Sequence, residues 1–556
     1  MILRVKERIS EAISEAVLSG FDLPRDVLPK VLLEKPKERS HGDFATNVAM
    51  ILSKHLKVPP RGIAEEVVRR LKLDKGLVKK VEVAGPGFIN FFIADEVILG
   101  NLLEVRKAGR DYGRNDMGKG KKVQVEFVSA NPTGRITAGN ARGAALGDCI
   151  ANILSFSGFE VHREYYINDV GTKILLLWKS VNARFREILG LPSDFPEGGY
   201  RGEYVWDLAR YVMEKVGRDY IEMEEGEQWK IFLELVIPLI LSWIEEDLRN
   251  FGVVYDTWFS ERTLHESGEV SKVIETLREN GYVYEADGAI WFASTKFGDD
   301  KDRVLVRKDG SPTYLASDIA YHKNKLDRGF ERIINIWGAD HQGHVLCTKA
   351  AIQALLYDPD ALEILIYQLV TFVSGKKGKR MSKKSGEFIT LSELIEELGK
   401  DVARYFFVMR TADAHLEFDL ELAKSQSMEN PVYYIQYAHA RAVNILKFAR
   451  EERGIDVDRI EDVDLSLLSE PEEMEISRMI FEFPDVVEGA ARTLEPHRIA
   501  RYLEEISGVF HSYYNRCRVV TEDLEQSKAR LVLTDSLRTV LSTGLSLLGV
   551  SAPERM

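Results

Sequence analysis

The chain has 556 residues, 45% of them hydrophobic and 29% charged, with a net charge of −13. That length supports three or more domains with sizeable cores, and the composition is that of a soluble globular protein, which excludes fibrous, disordered and membrane-spanning classes. The three cysteines, Cys149, Cys347 and Cys517, are far apart and none has metal-ligand spacing, so neither a disulfide framework nor a zinc site is expected.

The N-terminus, MILRVKERISEAISEAV, reads as an amphipathic helix with charges throughout, not as a signal peptide. His41-Gly42-Asp43-Phe44 opens a second helical pattern, with Phe44, Val48, Ile51, Leu52 and Leu56 at helical spacing. Pro59-Pro60 ends it, and Ile63 to Leu73 is another amphipathic helix. Val81 to Val83, a Gly-Pro-Gly turn, and Phe88 to Ile93 read as strand, turn, strand, so residues 1–115 form a small α+β module. The Gly- and charge-rich stretch from Gly109 to Lys122 reads as a linker.

Val123, Val125 and Phe127 then alternate with Gln124 and Glu126 as a strand, Asn131-Pro132-Thr133-Gly134 breaks it, and Ala141 to Ile150 reads as a helix. A helix N-terminus beside the carboxyl end of a strand favours a phosphate, and Gly134 and Gly139 let backbone approach a ligand. A tight turn in a parallel sheet explains the same residues about as well. Glu160 to Ile167 supplies another strand. The stretch 171–284 is largely helical and acidic; its most apolar run, 231–244, is too short for a bilayer and carries Glu234 and Pro238. Ile290 to Phe292 reads as a short strand, and Arg303 to Val306, Tyr314 and Ile333 to Trp337 carry the second half of the sheet that begins at Val123. From Ser425 onward, long helical patterns indicate a bundle.

Although the net charge is negative, basic residues cluster at 61–80, 106–122 and 376–384. The last cluster, GKKGKRMSKKS, is flanked by glycines and reads as a mobile loop able to close on an anion. A Gly-containing strand–helix turn followed downstream by a Met-Ser-Lys loop resembles the class I aminoacyl-tRNA synthetases, whose signatures are H-x-G-H and K-M-S-K-S. Here these read Thr137-Ala138-Gly139-Asn140 and Arg380-Met381-Ser382-Lys383-Lys384. The blocks EFVSANPTG (126–134), REYYIND (163–169), YLASDIAY (314–321), WGADH (337–341) and NPVYYIQY (430–437), in that order, resemble arginyl-tRNA synthetases along essentially the whole chain.

The resemblance implies a multidomain α/β plus all-α protein. Its parts are an N-terminal α+β tRNA-contacting module (1–115), a Rossmann-type parallel-sheet catalytic domain (116–375) with a largely helical insertion at about 171–284, the Met-Ser-Lys loop and a connecting helical segment (376–425), and a helical anticodon-binding domain (426–556). It implies ATP-dependent ligation of L-arginine to tRNA(Arg) through arginyl-adenylate, with Mg2+ arriving with ATP, in a cytoplasmic monomer without zinc or membrane.

Residue by residue, the resemblance assigns ATP contacts to Gly139, Asn140, Asp340, His341, Met381 and Ser382, and charge neutralisation on pyrophosphate to Lys383 with Arg380 and Lys384. Thr137 and Asn140 stand where the signature has histidines; both can still hydrogen-bond, but neither can become cationic. Tyr314 and Asp318, four apart on one helix face, match positions that bind the guanidinium, whose planar fork of donors calls for carboxylates. Glu126 and Asn131 match positions that grip the side chain and the α-amino group, though Glu126 alone would read as an ordinary outward strand residue. Tyr437, Arg441, Asn515 and Arg516 are candidates for tRNA contact because aromatics interleaved with arginine stack on unpaired bases. Two other readings stay open: a class I synthetase for another amino acid, such as cysteine or glutamate, and a non-catalytic tRNA-binding paralogue.

Overall fold

The computed structural model describes residues 2–556 apart from 22, 25, 26, 375–378, 381–388 and 461. Helix α1 (Ile2–Gly20) buries Ile2, Val5, Ile9, Ile13 and Val17, the one apolar face its spacing allows. Strand β1 (Phe44–Thr46), helices α2 (Val48–Leu56) and α3 (Pro60–Arg70), and strands β2 (Val78–Ala84) and β3 (Phe88–Ile93) follow, with sheet order β1-β3-β2. Phe44 is therefore in a strand, not at the start of a helix. Asp43 accepts the Ile93 amide (2.7 Å) and Phe44 pairs with Phe91, which pins this segment extended before α2 begins.

Helix α4 (Asp95–Ala108) leads to β4 (Lys122–Phe127), α5 (Ala138–Phe156) and β5 (Glu160–Ile167). Helices α6 (Thr172–Ile188), α7 (Glu203–Val216) and α8 (Glu225–Asn250) make up most of the acidic stretch. That stretch also contains a strand, β6 (Thr257–Ser260), paired with β5, before α9 (Glu261–Glu266) and α10 (Glu269–Glu279). Strands β7 (Val283–Ala286), β8 (Ala289–Phe292) and β9 (Arg303–Val306) form their own antiparallel sheet. The strand at 303–306 thus does not belong to the sheet that contains β4: its nearest partner in sequence is β8, and the Thr313 amide returns to Leu305 (2.8 Å).

Helix α11 (Tyr314–Asp327), β10 (Arg332–Gly338), α12 (Val345–Ala354) and β11 (Leu362–Tyr367) complete the layers around the main sheet. The main sheet has the order β11-β10-β4-β5-β6, and every pair is parallel. Central strand β4 is covered on both faces, so Val123 to Phe127 are all buried, including the polar Gln124 and Glu126. Helix α5 lies close on this strand because Gly147 leaves room: a Cβ there would come within 2.1 Å of the Phe127 ring.

Strands β12 (Val370–Ser374) and β13 (Lys379–Arg380), helices α13 (Leu391–Leu398) and α14 (Lys400–Val408), strand β14 (Leu416–Asp419) and helix α15 (Leu420–Lys424) connect to the bundle. The bundle is α16 (Pro431–Arg453), α17 (Pro471–Thr493), α18 (His497–Arg516) and α19 (Leu524–Leu547). One hydrophobic core runs from the main sheet through α14 into the bundle. At its centre the fully buried Arg404 donates to Asp148 (2.5 Å), Phe251 O (3.0 Å) and Leu548 O (3.1 Å), joining α5, the end of α8 and the end of α19. The N-terminal module rests on α17 through Lys6–Asp485, Lys35–Glu482 and Arg39–Glu475, with Phe481 inserted in its core.

Candidate active site

The site begins where β4 ends. Val128 and Ser129 take φ of +68° and +40°. For a β-branched residue such as Val128 this is a strained backbone, and it persists because the surroundings over-determine it. Three tyrosines from different elements hold the carbonyls of this turn: Tyr255 donates to Phe127 O (3.0 Å), Tyr165 to Ala130 O (2.9 Å) and Tyr204 to Thr133 O (2.8 Å). Asn131, half-buried, lies within the turn.

At the start of α5, Thr137 is the N-cap residue and its hydroxyl donates to Asn140 Oδ1 (2.7 Å). Gly139 is exposed, and a Cβ on it would meet only Thr137 Oγ1, at 3.6 Å. A flat group could therefore lie against this backbone. The turn is bound to the far end of the basic segment: Ala138 N donates to Ile389 O and Leu391 N to Ile136 O, both at 2.8 Å. Thr390 then starts α13 with a capping box to Glu393. The turn at 136–138 thus meets residues 389–391, which follow the basic segment, although the two are far apart in sequence. Met381, Ser382, Lys383 and Lys384 lie outside the described residues. Arg380 is described as backbone only, paired with Val373 in β13.

Asp340 and His341 follow β10 in a short turn at the same edge of the sheet and are well exposed. The carboxylate of Asp340 helps push the buried Tyr367 hydroxyl up to about 12, after burial itself. Tyr367 in turn lies against Gly143, whose added Cβ would meet its ring and hydroxyl at 3.0 Å. Asp340 is thus next to the first turns of α5.

The acidic part of the site is built from α11, β4 and α9. Tyr314 and Asp318 share the first turns of α11, as their spacing predicts. Glu126 is buried and not outward-facing: it accepts from Lys325 Nζ (2.5 Å) and Ser129 Oγ (2.9 Å). Lys325 also donates to Asn335 (2.9 Å) and sits over the Tyr321 ring. Glu164 is matched by Arg328 and Tyr321, and Asp169 by Arg262 and Ser260. These carboxylates are neutralised within the protein.

Asp318 is different. Among the described residues its carboxylate has no hydrogen-bond or ion-pair partner; burial, then the nearby Glu261 and Glu126, push it up to about 8. Glu261, at the start of α9, is buried; burial raises its carboxyl, against hydrogen bonding from Ser317 and His265. With its amide oriented to donate, Asn168 reaches Glu261 Oε2 (3.0 Å). The pocket is acidic, its Asp318 carboxylate is paired with no cation among the described residues, and it is bordered by the exposed Tyr314.

Sequence reasoning did not single out Glu261, Lys325 or Tyr166. Lys325, seven residues after Asp318 on a buried helix face, was detectable as a charge where a core residue belongs; Glu261 gave no local signal.

In the bundle, Tyr437 and Arg441 do come together: Arg441 lies over the Tyr437 and Tyr514 rings and bonds His511 (3.0 Å). Asn515 is exposed and Arg516 pairs with Glu472, so neither joins that cluster.

A parallel sheet whose first strand–helix turn is met by the exit of a basic segment is the catalytic architecture of class I aminoacyl-tRNA synthetases. Residues 102–411 match the family model for tRNA synthetases class I (R), catalytic domain. Residues 3–93 match the arginyl tRNA synthetase N terminal domain, and 435–556 the DALR anticodon binding domain. The chain is 51% identical over 556 residues to the arginine–tRNA ligase of Carboxydothermus hydrogenoformans, covering 100% of both chains. It is 48% identical over 560 residues to that of Moorella thermoacetica, again covering 100% of both. Its fold superposes on Thermus thermophilus arginyl-tRNA synthetase with a TM-score of 0.78 at 24% identity, covering 99% of this chain and 100% of that one. The chain belongs to the arginyl-tRNA synthetase family. Use of ATP goes with that class. Among the described residues no helix is long and apolar enough to cross a membrane.

Proposed function

We propose that the chain ligates L-arginine to tRNA(Arg) in two steps. The arginine carboxylate attacks the α-phosphorus of ATP, forming arginyl-adenylate and releasing pyrophosphate. The terminal ribose hydroxyl of the tRNA then takes the arginyl group and AMP leaves. No protein nucleophile is needed; the work is positioning and charge stabilisation.

In this reading Asp318 and Tyr314 bind the guanidinium, and Glu126 and Asn131 orient the rest of the amino acid. Glu126 acts through a carboxylate already fixed by Lys325. Gly139 and Asn140 receive the nucleotide, with Asp340 and His341 on the adenosine side. Lys383, helped by Arg380 and Lys384, neutralises the departing pyrophosphate, and Met381 and Ser382 lie along the same nucleotide. ATP arrives as its Mg2+ complex. Tyr437 and Arg441, stacked on α16, are the better candidates for base contact; Asn515 and Arg516 are the weaker pair.

The observation that carries the reading is Asp318: a partly buried carboxylate with no partner among the described residues, in a pocket where the other acids are mostly matched. A guanidinium supplies what it lacks. The test is adenylate formation with each amino acid, with and without tRNA. Arginine alone should support it; activity with cysteine or glutamate, or with none, would remove the proposal.

A further inference from the structure

Besides the Asp318 carboxylate, the acidic pocket contains a hydroxyl that no described residue satisfies. The hydroxyl of Tyr166 is fully buried and has no hydrogen-bond partner among the described residues. A buried hydroxyl without a partner is costly and calls for an explanation.

Its position is fixed on several sides. Tyr166 is in β5, paired with Phe259 of β6, two residues before Glu261. Its amide donates to Ser129 Oγ (3.1 Å), which itself donates to Glu126 (2.9 Å). Its ring stacks on Tyr321, with centroids 4.2 Å apart, one turn beyond Asp318 on α11. The ring is therefore held between the elements that carry Glu126, Glu261 and Asp318. Consistent with this, burial and then Glu261, Asp318, Glu126 and Asp169 hold its hydroxyl well above the usual tyrosine range.

A guanidinium brings five N–H donors. Glu126 is already taken by Lys325, and Glu261 is partly taken by Asn168. Asp318 offers two oxygens and Tyr314, exposed at the rim, one hydroxyl, so the five donors leave room for a further acceptor. We propose that the Tyr166 hydroxyl is a specificity-determining contact for the substrate guanidinium, accepting one of its N–H bonds. This rests on the proposed arginine substrate. It adds a neutral acceptor that a primary ammonium, with three donors on one nitrogen, does not require.

The test uses Tyr166→Phe in the full chain, which removes one oxygen from a stacked ring. Arginine binding is measured by titration calorimetry, ATP binding in parallel, and the melting temperature without substrate. Arginine affinity should fall about 10-fold or more, ATP affinity should hold, and the substrate-free melting temperature should stay or rise, because the hydroxyl had no partner to lose. Unchanged arginine affinity overturns the proposal. So does a melting temperature lower by several degrees, or a variant too unstable to purify, since either shows a hydroxyl already bonded in the free protein. If the unaltered protein fails to bind arginine, the substrate reading falls and this contact with it; if it binds arginine and the variant binds equally well, only the contact falls.

Discussion

Lys325 Nζ lies 2.5 Å from Glu126 Oε2, and neither side chain is more than 6% exposed. The pair ties α11, which carries Asp318, to the end of β4, where the turn into α5 begins. It also decides which acids remain for a substrate, because it removes Glu126 from the set of open charges.

Breaking this pair on one side should therefore cost far more than removing it whole. Lys325→Met leaves a buried carboxylate unmatched and should lower unfolding free energy by about 3–5 kcal/mol. Lys325→Met with Glu126→Gln should recover much of that loss. Urea denaturation of the two variants measures the difference; equal losses would show that the charges are not coupled.

The sequence made the long-range architecture legible and the wiring of the site much less so. Hydrophobic alternation located β4 and β5, and helical spacing put Tyr314 and Asp318 on one face. What failed had a tertiary cause. Glu126 read as outward-facing because alternation assumes one solvated face, and β4 has none. Phe44 read as helical because its spacing from Val48 fits a helix, whereas pairing with Phe91 decides its conformation. The short strand at 257–260 has no pattern that separates it from loop until its neighbour is known, whereas Leu362–Tyr367 carries the apolar run of a buried strand. Asn515 and Arg516 follow Tyr514 in sequence, but only Tyr514 turns to Arg441.

The Asp318 carboxyl, pushed up to about 8, gives a pH signature with a definite sign. Its unfolded value is about 3.9, so ionising it costs the substrate-free protein stability progressively from there up to about 8. Asp318→Asn removes that cost. Without substrate it should be more stable than the parent at pH 8, by an amount bounded at about 5 kcal/mol by the distance from 3.9 to 8, and by nothing at pH 3.5. A bound guanidinium favours the ionised form, so arginine binding at pH 7 should release protons. Calorimetry in two buffers of different ionisation enthalpy reads that release; its absence in the parent, or its persistence in Asp318→Asn, would contradict the assignment.

Two glycines of α5 should respond in opposite ways. Gly147→Ala puts a methyl into the Phe127 ring and should destabilise by about 1–3 kcal/mol, despite better helix propensity. Gly139→Ala meets nothing nearer than 3.6 Å and should keep its melting temperature while raising the KM for ATP. A stable Gly147→Ala, or a Gly139→Ala with normal ATP kinetics, would count against the close approaches described.

The hydrogen bonds from Ala138 to Ile389 and from Leu391 to Ile136 fix the exit of the basic segment beside the nucleotide turn. Lys383→Ala should therefore slow adenylate formation by about 100-fold or more with little change in arginine affinity, because its contact develops with the leaving charge. Rapid-quench kinetics separates the two quantities. A full-rate variant would remove the residue from the mechanism.

The most direct test of a guanidinium-selecting pocket compares KM values for arginine and ATP in Asp318→Asn, assayed with tRNA. The account predicts a rise of about 100-fold or more for arginine, in line with the loss of a charge-assisted pair, and little change for ATP. Equal effects on the two substrates, or none on arginine, would contradict it.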